Sequence, residues 1–323
     1  MNTRQSLNSL VTPTIVAIFD EANRQLSQEL QYTKLGYSDF HPDFDSPEFQ
    51  NISGAGEAVL TLEGSPYVPE DLIQDYKVSC TLKKYTKLMT VTEELVHWIQ
   101  KSNKMKVQQF KGTAKAMANS LNQKIDVEGT KLFYLGHGTT FQTGGDAVAL
   151  FSASHPSPDT SVSNQANIPA TAYGHETLSP ESLERAVQGI NRYYDVKGVQ
   201  LMRCRNLKLI IPRELEETTK RILLSTQGPL SANLGINPMA SQHSRITYEV
   251  ADWIPTGYST YWFLMDTERA NQCLYMCWGW MPRVNDEYEY SNGTLYKAGS
   301  VFFKPVFTDW RWIYGSKGDE TSS

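Results

Sequence analysis

Gly144-Gly145-Asp146-Ala147-Val148-Ala149-Leu150-Phe151-Ser152-Ala153-Ser154-His155-Pro156 is the stretch on which the reading turns. It packs a glycine turn, an apolar run and a second turn into one short phrase. A second phrase, Leu207-Lys208-Leu209-Ile210-Ile211-Pro212-Arg213-Glu214-Leu215-Glu216, does the same with an apolar strand, a proline stop and a helix start. Gly, Ser and His stand close together in the first phrase, so catalysis is the first question. No G-x-S-x-G elbow surrounds Ser152 or Ser154. Adjacent residues on a strand point to opposite faces, so Ser154 and His155 make a poor nucleophile and base. They read as a loop serine and a histidine that caps a turn before proline.

The remaining constellations are no sharper. His137, His155 and His175 are spaced by 18 and 20 residues, which matches no ligand pattern, and no H-E-x-x-H occurs. Gly136-His137-Gly138 and Gly144-Gly145 lack the following G-K-[ST] of a phosphate loop and read as turns. No catalytic residue, metal ligand or cofactor-binding residue is assigned, and no cofactor is expected. Carboxylate pairs such as Glu216-Glu217 and Asp286-Glu287 keep a carbohydrate-active enzyme open as an alternative. Glycoside hydrolysis needs two carboxyls about 5–10 Å apart across a cleft. Trp253, Trp262, Trp278, Trp280, Trp310 and Trp312 could line a sugar site. They sit in apolar strand runs, where core or interface packing is the default.

Composition bounds the class. The chain has 323 residues, 40% hydrophobic and 20% charged, which is globular and suggests about two domains. A net charge of −5 argues against a dedicated nucleic-acid binder. The opening Met1-Asn2-Thr3-Arg4-Gln5-Ser6 has no apolar run behind its charge, so it does not read as a secretory signal. No run of 18 apolar residues occurs, so no membrane span is expected. Cys80, Cys204, Cys273 and Cys277 lack disulfide-framework or zinc spacing and read as buried free thiols in a reducing cytoplasm. The sequons at Asn51 and Asn292 carry no meaning without a secretory route.

Along the chain, Thr12-Pro13 predicts a helix start, with Ile15, Ile18, Phe19, Ala22, Leu26 and Leu30 at helical spacing. Residues 35 to 76 hold nine acids and no Lys or Arg. A hairpin is expected inside this acidic segment: a strand over Ala58–Leu62, a loop over Glu63–Pro69 and a second strand near Ile73–Leu82. Such a hairpin is too thin to carry its own core. Thr90-Val91-Thr92-Glu93 fits a capping box that opens a short helix through Leu95, Val96 and Ile99. A longer helix over 104–126 is marked by Val107, Phe110, Ala114, Met117, Leu121 and Ile125. Residues 101 to 131 carry seven Lys against Asp126 and Glu128, a local charge of +5. That lysine face reads as solvated, or as a contact for phosphates or for a neighbour.

Beyond Gly136 the texture turns to short apolar runs and polar loops, including Ser157–Ala172. Ser179-Pro180 opens a helix with Leu183, Ala186, Val187 and Ile190 inward. Leu207–Ile211 is a buried strand, and Arg213–Leu224 is the helix after Pro212. Residues 246 to 290 alternate between strands and turns. Tyr288–Tyr296 reads as a hairpin turned at Asn292-Gly293, and Val301–Tyr314 is strand-like.

The two opening phrases, in this order, resemble the major head (capsid) subunits of tailed bacteriophages, especially the Mu-like group. In that group a phrase like Ala149-Leu150-Phe151-Ser152-Ala153-Ser154-His155-Pro156 precedes a polar loop with asparagines, here Asn164 and Asn167. A helix opening like Leu178-Ser179 and a strand-to-helix phrase like Leu207–Glu216 follow. Asn237-Pro238, Tyr261-Trp262-Phe263-Leu264-Met265-Asp266, Asp309-Trp310-Arg311 and Tyr314-Gly315-Ser316 extend the likeness, which covers roughly residues 85 to 316. The first 80 residues depart from the Mu-like pattern.

The resemblance implies an α+β chain with the Hong Kong 97-like capsid fold. Its parts would be an N-terminal arm (1–50), an extended E-loop hairpin (51–88), a peripheral domain with a long spine helix (89–140), an axial domain with mixed sheet and helices (141–283), and return strands to the peripheral domain with a tail (284–323). It implies a structural protein, not an enzyme, that self-assembles into hexamers and pentamers of an icosahedral shell around double-stranded DNA. It would be assembled in the host cytoplasm and carried in the virion. Expected partners are other copies of the chain, a separate scaffolding protein (no long extension precedes the arm helix), a portal and decoration proteins, with non-specific contact to packaged DNA and no membrane. Another virion protein, such as a tail sheath or baseplate piece, is the further alternative. The charge map adds an expectation about contacts. Asp43, Asp45, Glu63, Tyr67, Glu70 and Asp71 of one subunit would meet Lys104, Lys106, Lys111 and Lys115 of another. Such pairs steer register more than they add affinity.

Overall fold

The computed structural model describes residues 16–27, 29–52, 58, 60–66, 74–92, 94, 104–170, 175–225, 237, 245–285 and 294–318. The first described element is helix α1, residues 16–27, which buries Phe19 and Ala22, as its spacing predicts. The expected cap at Thr12-Pro13 lies outside the described residues. A single helical turn, Gln31–Lys34, then leads into strand β1, Ser38–Phe40.

Strands β2 (Glu48–Ile52) and β3 (Gln74–Ser79) pair antiparallel, with Glu48 opposite Ser79 and Ile52 opposite Gln74. The hairpin is therefore real, but its first strand lies ten residues before the expected Ala58–Leu62. Ala58 and Leu60 to Leu62 are not strand, and Leu60 and Leu62 are 88% and 72% exposed. Alternation at 58–62 mimics a strand, but strand propensity is realised only against a partner and a packed face. Glu48–Ile52 has both: Phe49 stacks on Tyr275 at 5.4 Å and packs with Val78, Cys80, Leu82, Cys277 and Val306. This small satellite core fixes the hairpin base to the body.

Strand β4, Lys83–Thr92, replaces the expected capping box at Thr90. Thr90 faces Tyr296 within a ten-residue antiparallel ladder to strand β9, Thr294–Phe307. Ten residues of ladder outweigh one local cap, and β-branched Thr86, Thr90, Val91 and Thr92 suit a pleated surface. Of the short helix expected after it, only Glu94 is described, and it is helical; Leu95, Val96 and Ile99 lie outside the described residues.

Helix α2 spans Lys104–Tyr134, eight residues beyond the expected end at Asp126. Gly129-Thr130 does not break it. Gly129 instead lets the chain pass close: an added Cβ would lie 3.4 Å from Met276 and Tyr32, and the Tyr37 hydroxyl donates to the Gly129 carbonyl at 2.6 Å. Ala114, Met117, Ala118, Leu121, Ile125, Leu132 and Phe133 form its buried stripe.

That stripe packs across β4, β9 and β8, Leu274–Asn285. These strands form a sheet in the order β1-β8-β9-β4, parallel only between β1 and β8. The expected turn at Asn292-Gly293, between β8 and β9, lies outside the described residues. A second sheet has the order β10-β7-β5-β6, from β5 (Leu207–Ile211), β6 (Ile246–Val250), β7 (Trp262–Asp266) and β10 (Ile313–Ser316). Here β5 and β6 run parallel and the other pairs antiparallel. The expected single strand-like run over Val301–Tyr314 is thus two strands in two sheets, split by a turn at 308–312. Indole and peptide groups make that turn: Trp312 Nε1 donates to the Asp309 carbonyl at 2.7 Å.

Helix α3, Pro180–Ile190, starts as expected, with Ser179 and Ser182 in a reciprocal capping box. It buries Leu183, Ala186, Val187 and Ile190 against β10 and β7. After β5, Pro212 leads through the turn Arg213–Leu215 into helix α4, Glu216–Leu224, over β6. Helix α5, Thr267–Cys273, joins β7 to β8 and so links the sheets, capped by the Asp266 carboxylate on the Glu268 amide. One hydrophobic core runs under both sheets, with Trp262, Trp278, Trp310 and Trp312 inside it.

Candidate assembly surfaces

The opening phrase folds into a packed junction. Asp146 accepts from His155 Nδ1 at 2.7 Å, and its other oxygen accepts from the Val148 amide at 3.2 Å. His155 Nε2 faces Asn167 Oδ1 at 3.2 Å, and the Asn167 amide donates to the Leu150 carbonyl at 2.6 Å. The imidazole is buried and stacks on Trp310 at 4.2 Å with an interplanar angle of 10°. Both ring nitrogens are spent on Asp146 and Asn167, and the Ser154 hydroxyl accepts from Asn164 instead. The histidine fixes a turn, as its place before proline suggested. Among the described residues no group of His, Cys, Asp or Glu could hold a metal ion.

Trp310 carries the junction further. Arg311 lies over its ring at 5.0 Å and reaches Asp309 at 3.0 Å and Asp75 at 3.3 Å. Asp75 stands on hairpin strand β3, so one buried guanidinium ties the hairpin to the turn between β9 and β10. Burial raises the Asp75 pKa, and the Arg311 charge opposes that rise. Gly145 makes the same join sterically: an added Cβ would lie 2.6 Å from Tyr76 Cβ and 2.9 Å from the Lys77 carbonyl. No motif announces the Asp75–Arg311 pair, because its members lie 236 residues apart.

A second histidine is half-buried. His137 lies among Phe151, Tyr261 and Phe263, with Phe151 at 4.6 Å, and its Nε2 has no hydrogen-bond partner among the described residues. Burial, with Lys317 and His175 adding to it, pushes its pKa down to about 3.

The surfaces are charged and unevenly partnered. Of the nine acids in residues 35 to 76, Asp75 is held by Arg311, and Asp39 accepts from Trp278 Nε1 at 2.7 Å and Tyr32 Oη at 3.2 Å. Asp43, Asp45 and Glu63 are exposed. Asp43 and Asp45 flank Phe44, itself 76% exposed, in the bend between β1 and β2. Tyr67, Glu70 and Asp71 lie outside the described residues.

On α2, Lys111 and Lys115 are exposed, and neither pairs with a carboxylate among the described residues. Lys104 and Lys106 stand in the first turns of the helix, and their side chains lie outside the described ones. Lys124 and Lys131 both grip Glu128, at 2.5 and 2.7 Å, and Lys124 also covers the Tyr85 ring at 4.8 Å. The basic face is thus narrower than a count of lysines suggests. The carboxylate pair Glu216-Glu217 is occupied as well, by Lys220 and Arg221 on the same helix. Asp286-Glu287 lies outside the described residues. No described helix is long and apolar enough to cross a membrane.

The sequence matches no protein-family model and no curated protein. Solved structures do match. A chain of the cyanophage A-1(L) capsid is 13% identical, with a TM-score of 0.58 over 89% of this chain and 92% of that one. A capsid chain of an empty GTA particle is 10% identical, with a TM-score of 0.53 over 88% of each chain. A chain from the capsid of Myoviridae phage XM1 is 13% identical, with a TM-score of 0.52 over 90% and 92%. The fold of this chain is that of the Hong Kong 97-like phage capsid proteins, as the resemblance implied.

Proposed function

We propose that this chain is a major capsid subunit that assembles with copies of itself into the shell of a phage head. The observation that carries the reading is the fold, shared over about nine-tenths of the chain with subunits of phage and GTA capsids. The shape of the chain supports it. Among the described residues the hairpin between β2 and β3 is held at its base, while Leu60 and Leu62 stand exposed. Exposed Leu60 and Leu62, together with exposed Phe44, are surface that a neighbour would cover.

Heterologous contacts between flat subunits close into rings, here hexamers and pentamers. Residues 1–50 act as the arm, 51–88 as the E-loop, 89–140 as the peripheral domain, 141–283 as the axial domain and 284–323 as return strands and tail. Asp43 and Asp45 of the arm and Glu63 of the hairpin, all three exposed, dock together with Tyr67, Glu70 and Asp71 on basic surface of another copy. Lys104, Lys106, Lys111 and Lys115 are the candidate contacts on that copy for the hairpin residues. A scaffolding protein, a portal and decoration proteins complete the head, which encloses double-stranded DNA. The chain works by association rather than turnover, needs no cofactor, and ends in the virion after assembly in the host cytoplasm.

Negative-stain microscopy of the purified protein tests the reading. Closed shells or capsomer rings are expected. Monodisperse single subunits with hydrolase activity would replace it with the enzyme alternative.

A further inference from the structure

A pocket of about 360 Å³ opens where the C-terminal half of α3 meets the chain leading into β5 and β6. Arg192, Arg203 and Arg245 line it, with the amides of Gln188 and Gln200 and the carboxylate of Glu184. The pocket is short of negative charge. Among the described residues, none of the three arginines forms an ion pair, and Glu184 is approached by Gln188 instead, at 3.4 Å. The Arg245 guanidinium donates to the Cys204 carbonyl, and burial and then the Arg203 charge both work against its own charge. Unpaired guanidinium groups in a concave site ask for an anion.

The surroundings say what kind. Met202 is 91% exposed and Tyr194 is 42% exposed, both on the loop that builds the pocket. Arginine with methionine and an aromatic is the composition of a protein interface centre, whereas a polynucleotide surface is an array of cations. The complement is present on the same chain. Asp43-Phe44-Asp45 offers an exposed aromatic between two exposed carboxylates, neither ion-paired among the described residues. Its bend is held from behind, because the Leu82 amide donates to the Asp45 carbonyl at 3.1 Å and the Cys80 amide to the Pro47 carbonyl at 3.0 Å. A knob fixed before binding loses little entropy on docking.

We propose that the Asp43-Phe44-Asp45 knob of one copy docks into the Arg192, Arg203 and Arg245 pocket of a second copy. The inference rests on the shell reading and deepens it: the two acids meet this pocket and leave the α2 lysines to the hairpin. The contact is heterologous, since knob and pocket are different surfaces, so it propagates around a ring.

Charge exchange in the full-length chain tests it. R192E/R203E alone and D43R/D45R alone are each expected to lower particle yield by tenfold or more. All four changes in one chain are expected to restore it. Because charge reversal could disturb folding, a D45C/R203C chain supplies a second measurement, both positions being exposed. Mild oxidation is expected to give a ladder of linked subunits on a denaturing gel. Wild-type yield from R192E/R203E, or a quadruple variant that stays unassembled with no ladder from the cysteine pair, overturns the inference while wild-type shells keep the shell reading intact. A wild-type chain that stays a single subunit in every buffer overturns the shell reading and this contact with it.

Discussion

Gly145 and Arg311 meet the same hairpin strand, one through bulk it lacks and one through charge. A methyl group at Gly145 would press on Tyr76 Cβ and the Lys77 carbonyl, neither of them the yielding end of a flexible side chain. G145A is therefore expected to destabilise the fold by about 1–3 kcal/mol in chemical denaturation. Gly112, on the exposed face of α2 with nothing within 4 Å of an added Cβ, is the matched control. G112A is expected to stabilise by up to about 1 kcal/mol, since alanine is the better helix former. R311M would leave Asp75 and Asp309 without their buried cation, at about 3–5 kcal/mol. His137 sets a pH dependence of known sign. Its folded pKa of about 3 lies below the unfolded 6.5, so the unfolded chain binds the extra proton between them. Its contribution to stability is complete above about pH 6.5 and is lost as pH falls toward 3, by at most ~1.4 kcal/mol per pH unit. Urea melts of wild type minus H137Q across pH 4–7 should isolate that slope; parallel curves would remove the histidine from the account.

The hairpin is the element whose removal separates folding from assembly. Ile52 faces Gln74 at the last described pair of the β2–β3 ladder, so a two-residue turn in place of residues 53–73 would close it. The base keeps Phe49, Val78 and the satellite core. The shortened chain is expected to keep its circular dichroism spectrum and melt within a few degrees of wild type, yet to form no shells in sedimentation. Elements with a strong local signal were legible in the sequence: the Ser179 cap of α3, the proline stop after Leu207–Ile211, and the three- and four-residue spacing of α2. Elements defined by a distant partner were not. β4 depends on a ladder to residues about 200 positions away, and nothing in Thr90-Val91-Thr92-Glu93 itself betrays it. β2 is a polar strand recognisable only once Tyr275 and Val78 are set beside it. The junction at His155 was half legible: its turn role follows from Pro156 and Asp146 stands in the same phrase, but its partners Asn167 and Trp310 come from two other segments.

At the scale of the whole molecule, charge separation decides how copies approach. The acidic segment carries nine carboxylates, while exposed cations gather at Lys111 and Lys115 on α2 and at Arg192 and Arg203 beside α3. Internal pairing trims both sides: Asp39 and Asp75 are used within the subunit, and so are Lys124 and Lys131. What remains among the described residues is exposed charge, which acts mainly on the rate and register of encounter. Exposed pairs are screened within about 10 Å at 0.1 M salt. Shell assembly followed by light scattering should therefore slow as salt rises from low to moderate ionic strength, and a rate indifferent to salt would remove electrostatic steering. The lysines then divide two arrangements. If Lys111 and Lys115 meet the acidic hairpin of a neighbour, K111E/K115E prevents empty shells from forming, and E63K in the same chain recovers part of the yield. If they face packaged nucleic acid, K111E/K115E forms empty shells at the wild-type yield and fails only when DNA is packaged. The first outcome is expected. Glu63 stands exposed and without an ion-pair partner among the described residues, in a hairpin whose described contacts to its own subunit lie at the base, so a cation on another copy is the partner left to it.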